Sequence, residues 1–346
     1  MSTPSSLAFV GAGSLGQAFA GLLATSGQAV TLVATLSSRE RLLQAERIRL
    51  RGALDLEIPV EAAPAPAGRV GITADPGDLP SNTGVIFTTK SHQLPAAIAM
   101  VRAVWPRADD ATSWVAGVQN GIIKDDLLVK AFGVERVVGA VTILGAQREA
   151  DGGVTVTSRG ATYLGEFAGD SSPRVAAAAQ TLRAAGIPTE AVTDIQSVLW
   201  SKVCNAVGVF GVCVLTRSSG SRMSSNPDLM RAYHALIRET ATVAAAYGVT
   251  IGDYEGFPIR SYLTKSETKM IASAASRAAT FAGESGAGGT ESFPSMVQDL
   301  LAGRPMESDQ IFGDVVRRAE YVGITVPRIA LVRDLIAGLN RTTSHR

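Results

Sequence analysis

One lysine interrupts the apolar run Leu199-Trp200-Ser201-Lys202-Val203-Cys204-Asn205-Ala206-Val207-Gly208-Val209-Phe210. An ammonium buried without a partner is expensive, so the position calls for a reason. On a helix turning about 100° per residue, Lys202 and Asn205 share a face with Val209 and Cys213. A cation and an amide projecting together suit a polar group that gains negative charge. A helix-edge lysine, its stem packed and its head in water, accounts for the same pattern. On this stretch alone both readings stand. Further polar residues follow the apolar runs Val85–Lys90 and Ser113–Val118, namely Lys90 itself and Gln119-Asn120-Gly121.

The elements that would position these groups begin at the amino end. Leu7–Val10 reads as a strand and runs into Gly11-Ala12-Gly13-Ser14-Leu15-Gly16, then a helical stretch to Thr25 and a second strand, Ala29–Ala34. Strand, GxGxxG turn, helix and strand in that order form the dinucleotide fingerprint. The first glycine permits the turn, the second admits a pyrophosphate, and the third lets helix and strand pack. The helix N-terminus adds N–H donors and a positive dipole end. The second strand ends Val33-Ala34-Thr35-Leu36-Ser37-Ser38-Arg39, with no acid before Glu40. An NAD site would place Asp or Glu there for the ribose hydroxyls. Thr35, Ser37 and Arg39 suit a 2′-phosphate instead, so NADP(H) is the expected cofactor. Ser37 and Ser38 could also cap the next helix.

Runs at Ile48–Arg51, Leu54–Val60, Val85–Lys90, Ser113–Val118 and Val137–Ile143 read as further strands. Gly153–Ser158 and Thr162–Gly165 read as a hairpin pair, and Arg174–Ala185 as a helix. Ligands of open parallel sheets bind beyond the strands' carboxyl ends, where Lys90, Gln119 and Asn120 fall. His92 reads as a loop residue. Beyond residue 194 strand signals nearly vanish, and helices are expected over 196–214, 227–247, 258–282 and 308–322. Ala282–Gly289 reads as a flexible loop and Arg341–Arg346, with His345, as a frayed tail. The expected fold is α/β: a Rossmann-type parallel-sheet domain over 1–193, then an all-α domain for substrate and dimerisation over 194–346.

Composition narrows the class. The chain has 346 residues, 46% of them hydrophobic and 18% charged, with a net charge of +1. That describes a packed protein with room for two cores. The charge balance argues against a nucleic-acid partner. No basic region with a cleavable apolar segment opens the chain. Val203–Leu215, interrupted by Asn205, is shorter than the about 18 apolar residues of a membrane span. Cys204 and Cys213, nine apart on one helix, cannot form a disulfide. The expectation is a cytoplasmic homodimer acting on a small molecule, without metal and without a membrane.

The residues taken together resemble the ketopantoate reductase (2-dehydropantoate 2-reductase) family, of the 6-phosphogluconate dehydrogenase-like superfamily. Its signatures follow in the same order: GAGSLG, Lys90 after a strand, Gln119-Asn120-Gly121, Trp200-Ser201-Lys202, and Ser295-Met296-Val297-Gln298-Asp299 with Glu307 twelve residues after the serine. The resemblance covers nearly the whole chain. It implies an NADPH-binding Rossmann domain, a helical domain and a substrate in the cleft between them. It implies Lys202 as the catalytic lysine, with Glu307 keeping it protonated and aimed. Asn120 would touch cofactor and substrate, Lys90 and Glu307 the cofactor side, and Ser295 the substrate. Hydride delivery to a carbonyl builds negative charge on oxygen, which a neighbouring cation stabilises and protonates.

Two departures set this chain apart. Where the family places asparagines four and eight residues after the lysine, Ala206 and Phe210 stand here, and the nearby amide is Asn205. Thr35 stands where the family tends to have arginine. The expected activity is therefore NADPH-dependent reduction of a 2-oxo acid or related carbonyl, with a pocket divergent from that for ketopantoate. An imine reductase, a hydroxy-acid dehydrogenase of the same fold and a non-catalytic NADP-binding protein are the alternatives.

Overall fold

A computed structural model describes residues 6–106, 112–284 and 293–343. The chain forms two compact units, one of residues 1–119 and 124–196, the other of 120–123 and 197–346.

The first unit contains strands β1 (Ser6–Val10), β2 (Val30–Val33), β3 (Arg47–Gly52), β4 (Leu56–Ala62), β5 (Val70–Thr73), β6 (Thr83–Phe87), β7 (Trp114–Gly117), β8 (Val138–Arg148), β9 (Val154–Glu166) and β10 (Thr189–Ala191). Among them run helices α1 (Ser14–Thr25), α2 (Leu36–Ala45), α3 (Leu94–Arg102), α4 (Ile123–Phe132) and α5 (Pro173–Ala184). The strand order is β10-β9-β3-β4-β5-β2-β1-β6-β7, with β8 beside β9. The central strands β4-β5-β2-β1-β6-β7 are all parallel. Of these, β5, β2, β1, β6 and β7 are mostly apolar and buried, as strands covered on both faces must be, whereas β4 alternates buried Ile58 and Val60 with exposed residues. The sheet is mixed and not purely parallel, because β3–β4 and β8–β9 pair antiparallel.

Several expectations are corrected here. Strand β6 stops at Phe87, so Lys90 lies three residues past it and opens a short 3₁₀ turn, Ser91–Gln93, that contains His92. The expected hairpin pair is one thirteen-residue strand, β9, lying antiparallel to β8. Gly160, which falls between the two expected strands, sits within that strand. A Cβ there would meet Ile143 at 2.9 Å, so the glycine serves close approach and not a turn.

The second unit contains α6 (Ile195–Thr216), α7 (Gly220–Ser225), α8 (Pro227–Ala246), α9 (Ile259–Thr264), α10 (Glu267–Glu284), α11 (Ser295–Leu301), α12 (Asp314–Tyr321) and α13 (Pro327–Thr343). It is not wholly helical, since β11 (Asp253–Tyr254) and β12 (Phe257–Pro258) form a small antiparallel ribbon. Gly256, at φ +79°, supplies the left-handed residue of its turn. The helix expected over 258–282 is two, broken at Lys265-Ser266, where extended backbone ends α9. That expected over 308–322 opens with a π-helical turn, Asp309–Gly313. Arg341 lies within α13, not in a tail. The Met1–Ser5 end, most of the expected loop Ala282–Gly289, and His345 lie outside the described residues.

Helix α6 carries the second unit. At 22 residues with a mean hydropathy of 1.8 it is, against expectation, long and apolar enough to cross a bilayer, yet 78% of that window is buried inside the fold. Two glycines on it admit α8 at close range. A Cβ at Gly208 would meet Tyr233 at 2.5 Å, and one at Gly211 would meet Leu236 at 2.8 Å. Glycine within a helix costs about 1 kcal/mol against alanine; the backbone contact it permits offsets that cost.

The first unit also hides an ion pair at the start of α4. Lys124 Nζ lies 2.7 Å from both carboxylate oxygens of Asp125, and the two side chains are 1% and 3% exposed. Removing one partner of a buried pair strands the other charge, which costs roughly 3–5 kcal/mol. Asp125→Ala is therefore expected to lose stability on that scale in denaturant unfolding, and a loss below about 1 kcal/mol would refute the pairing.

Candidate functional site

Gly11 to Gly16 form the bend between β1 and α1. Gly11 sits at φ +119°, where other residues are strained, and a Cβ there would strike Thr89 at 2.9 Å. A Cβ at Gly16 would lie 2.0 Å from the Gly11 carbonyl, so only hydrogen fits where helix and strand cross. At Gly13, the N-cap of α1, a Cβ would meet nothing within 4 Å. The turn is tight behind and open above Gly13, with Ser14 and Leu15 in the first helical turn and Ala12 buried. This shape fits a pyrophosphate resting on the helix N-terminus.

Thr35 is the N-cap of α2, its hydroxyl accepting the Ser38 N–H at 3.3 Å. Ser37 and Ser38 therefore stand in the first turn and do not cap it. Arg39 is partly buried beside them. Arg41, which sequence reading passed over, reaches Ser38 Oγ at 3.4 Å. Hydroxyls, guanidinium groups and a helix N-terminus thus follow β2, with no carboxylate among residues 33–39. Past β6, the Lys90 N–H donates to Gln93 Oε1 at 3.3 Å. Gln119 ties the ends of β6 and β7 together, its Nε2 donating to the Phe87 carbonyl at 3.1 Å.

In the second unit, Lys202, Asn205 and Val209 are the partly exposed positions of an otherwise buried stretch, 201–210. They make one stripe, as the helical spacing predicts, although Cys213, expected on the same face, is fully buried. Two serines hold the segment after α8 against α6. Ser197 Oγ donates to the Thr250 carbonyl at 2.6 Å and accepts from Tyr254 Oη at 2.8 Å. Ser201 Oγ accepts the Gly252 N–H at 2.9 Å. These contacts place the buried Phe257 ring 5.7 Å from Lys202 Nζ, a cation–π contact. Asn205 Oδ1 accepts from Tyr233 Oη at 3.1 Å. Tyr233 stays a phenol, since burial holds its pKa well above the ordinary value. Phe257 and Tyr233 lay beyond sequence reading, because only the folded chain brings them to α6.

Among the described residues Lys202 has no carboxylate within ion-pairing distance. Its apolar surroundings lower its pKa from 10.5 to about 8, with desolvation as the cause. The expected pairing with Glu307 is thus corrected: a nearby carboxylate would push the pKa the other way. Glu307 is buried just ahead of the π-helical turn. A Cβ at Gly121 would lie 2.7 Å from the Gln310 carbonyl, so the Asn120-Gly121 bend packs on that same turn. Ser295 is exposed at the first position of α11. The second unit accordingly holds Lys202, Asn205, Asn120, Glu307 and Ser295, and the first holds the glycine turn, Thr35, Ser37, Arg39 and Lys90.

Residues 7–169 match the profile of the family described as Ketopantoate reductase PanE/ApbA, and 194–340 match its C-terminal counterpart. The chain belongs to the ketopantoate reductase family. As a member it is an oxidoreductase acting on CH–OH/C=O groups, and the family is nicotinamide-dependent. The chain is 25% identical over 329 residues to a 2-dehydropantoate 2-reductase of Pyrococcus abyssi, covering 95% of this chain and 96% of that one. Its fold is similar to that of a PanE/ApbA family ketopantoate reductase from Ralstonia eutropha JMP134, with a TM-score of 0.76 and 22% identity over 98% of this chain and all of the other. A D-mandelate dehydrogenase, solved with NADH and anilino(oxo)acetate, shares the fold at a TM-score of 0.77 and 20% identity, covering 98% and 99% of the two chains.

The lowered pKa of Lys202 has a stability consequence of definite sign. Unfolded, the lysine holds its proton up to pH 10.5; folded, it releases it near pH 8. Between these values the unfolded chain binds more protons, so stability rises with pH. Lys202→Met should melt at or above the wild-type temperature at pH 7, with the difference shrinking between pH 8 and 10.5. A lower melting temperature at pH 7 would contradict the desolvated state.

Proposed function

We propose that this enzyme reduces a 2-oxo acid or related carbonyl with NADPH, and that Lys202 is its proton donor and electrostatic clamp. The observation that carries the reading is the uncompensated ammonium of Lys202 on the partly exposed stripe of α6. A bound nicotinamide supplies the hydride. As the carbonyl oxygen gains charge, the Lys202 ammonium stabilises it and delivers the proton to that oxygen. With no carboxylate beside it, the ammonium is free to meet the substrate's own negative charge. Tyr233 holds Asn205 in place, and we propose Asn205, Asn120 and Ser295 as substrate contacts. Glu307 is proposed as a buried acceptor for a substrate or cofactor hydrogen bond, as is Lys90 for cofactor contact. With a pKa near 8, Lys202 could also accept a proton in alkaline solution, which favours hydroxy-acid oxidation by the same site as the second reading.

The divergent pocket supports substrates other than ketopantoate, since Ala206 and Phe210 are apolar and buried where the family keeps amides. We propose a cytoplasmic homodimer; Tyr321, Leu331 and Leu335 form exposed apolar surface on α12 and α13.

The test follows NADPH oxidation against a panel of 2-oxo acids, ketones and cyclic imines. A 2-oxo acid other than ketopantoate should be the best substrate, with ketopantoate below about 10⁴ M⁻¹s⁻¹ in kcat/KM. Its rate should fall as pH rises through about 8, and Lys202→Ala should lower kcat by about 10²–10⁴-fold. A near-normal kcat in that variant would remove Lys202 from the mechanism.

Cofactor choice has its own test. With no acid after β2, NADPH should bind at least about tenfold more tightly than NADH, or 1.4 kcal/mol. Arg39→Ala should erode that preference and leave NADH affinity unchanged. Equal dissociation constants in the wild type, by fluorescence titration, would overturn the assignment.

A further inference from the structure

Helical phase alone does not say on which side of Lys202 the open face of α6 continues. At about 100° per residue, Ala206 lies about 40° to one side of the lysine and Asn205 about 60° to the other. Burial decides between them. Ala206 and Phe210, on the first side, are 3% and 7% exposed and belong to the core. Asn205 and Val209 are partly exposed and stand four residues apart, so they are neighbours on one helix face. From its amino end, that face therefore presents an ammonium, an amide and an isopropyl group. The fold fixes the amide. Its Oδ1 accepts from Tyr233 Oη at 3.1 Å, and the buried Tyr233 ring meets Tyr262 edge-on. Among the described residues none accepts from Asn205 Nδ2, which is left as a donor. Val209 lies one turn beyond, about 6 Å further along the axis.

We infer that Val209 is a specificity-determining residue and that the substrate is a 2-oxo acid whose side chain is a hydrocarbon without a hydroxyl. The inference rests on the reading of Lys202 as proton donor at the carbonyl oxygen. With that oxygen at Lys202 and a second substrate oxygen on Asn205 Nδ2, the carbons beyond lie over Val209. A hydrocarbon there exchanges water for apolar contact, which favours binding. A hydroxyl in the same place gives up water and gains no partner, which works against it. An apolar wall rejects an added hydroxyl only by about tenfold to a hundredfold. The preference is therefore graded, and one substitution should move it.

The test compares ketopantoate with 3,3-dimethyl-2-oxobutanoate, two acids that differ by one hydroxyl, on the wild type, Val209→Thr, Val209→Asn and Lys202→Ala. NADPH dissociation constants and melting temperatures are measured alongside. The wild type should favour the hydrocarbon acid in kcat/KM by at least about tenfold. Val209→Thr, which keeps the volume and adds a hydroxyl, should shrink that ratio at least about threefold, and Val209→Asn should shrink it further. NADPH affinity and melting temperature should stay at the wild-type values in Val209→Thr. The inference falls if the wild-type ratio lies near or below one, or if Val209→Thr leaves it unchanged, whether or not Val209→Asn folds. It also falls if the wild type reduces other 2-oxo acids and neither of this pair. A near-normal kcat in Lys202→Ala would overturn the reading of Lys202, and this inference with it. An unchanged ratio in Val209→Thr beside a large loss of kcat in Lys202→Ala would overturn this inference alone.

Discussion

The second unit depends on how one ammonium is kept in an apolar helix without a counter-ion. Desolvation works against the charge of Lys202, and no described carboxylate offsets it. Only weak compensation is present, a ring 5.7 Å away and some access to solvent. The helix tolerates this because the rest of its surface is well packed: Gly208 and Gly211 bring α8 close, while Ser197 and Ser201 fix the segment that carries Phe257. A carboxylate beside the lysine would relieve the cost and would also raise its pKa. The unpaired state leaves the group near the edge of losing its proton, the condition under which proton transfer in either direction is easiest.

The first unit meets a different constraint, close approach. Its glycine turn is crowded below, where Gly16 faces the Gly11 carbonyl, and open at Gly13. Backbone geometry creates that opening, and side chains from other parts of the chain order the segments around it. Thr35 orders the start of α2, Gln119 ties β6 to β7, and Arg148 arrives from the end of β8. Few of these contacts are local in sequence, so the turn's shape depends on the assembled sheet.

The glycine turn, the lysine stripe and the switch from mixed to helical structure were legible in the sequence because each is written in local pattern. The stripe could be read because helical periodicity alone separates Lys202, Asn205 and Val209 from their buried neighbours. What was not legible depends on contacts between distant segments. Gly160 imitates a turn because sequence cannot distinguish a glycine that bends from one that admits a neighbour. The Lys202–Glu307 pairing followed from family likeness, and nothing in the spacing of two residues 105 apart could test it. The Arg148 contact was not legible for the same reason: the residue lies at the end of a strand, with no motif around it, and only the folded chain brings it to the Ala12 carbonyl.

The bend at Asn120-Gly121 has a consequence for dissecting the protein. Residues 120–123 lie in the middle of the first unit's sequence but pack with the helical unit, where Gly121 closes over the Gln310 carbonyl. A cut near residue 195 would therefore not release two self-sufficient pieces. The carboxyl-terminal fragment would lose the plug over its π-helical turn, beside buried Glu307, and the amino-terminal fragment would keep a plug with nothing to fill. Genetic fusions, split reporters and domain exchanges between relatives would all have to carry this four-residue loop with the helices it belongs to.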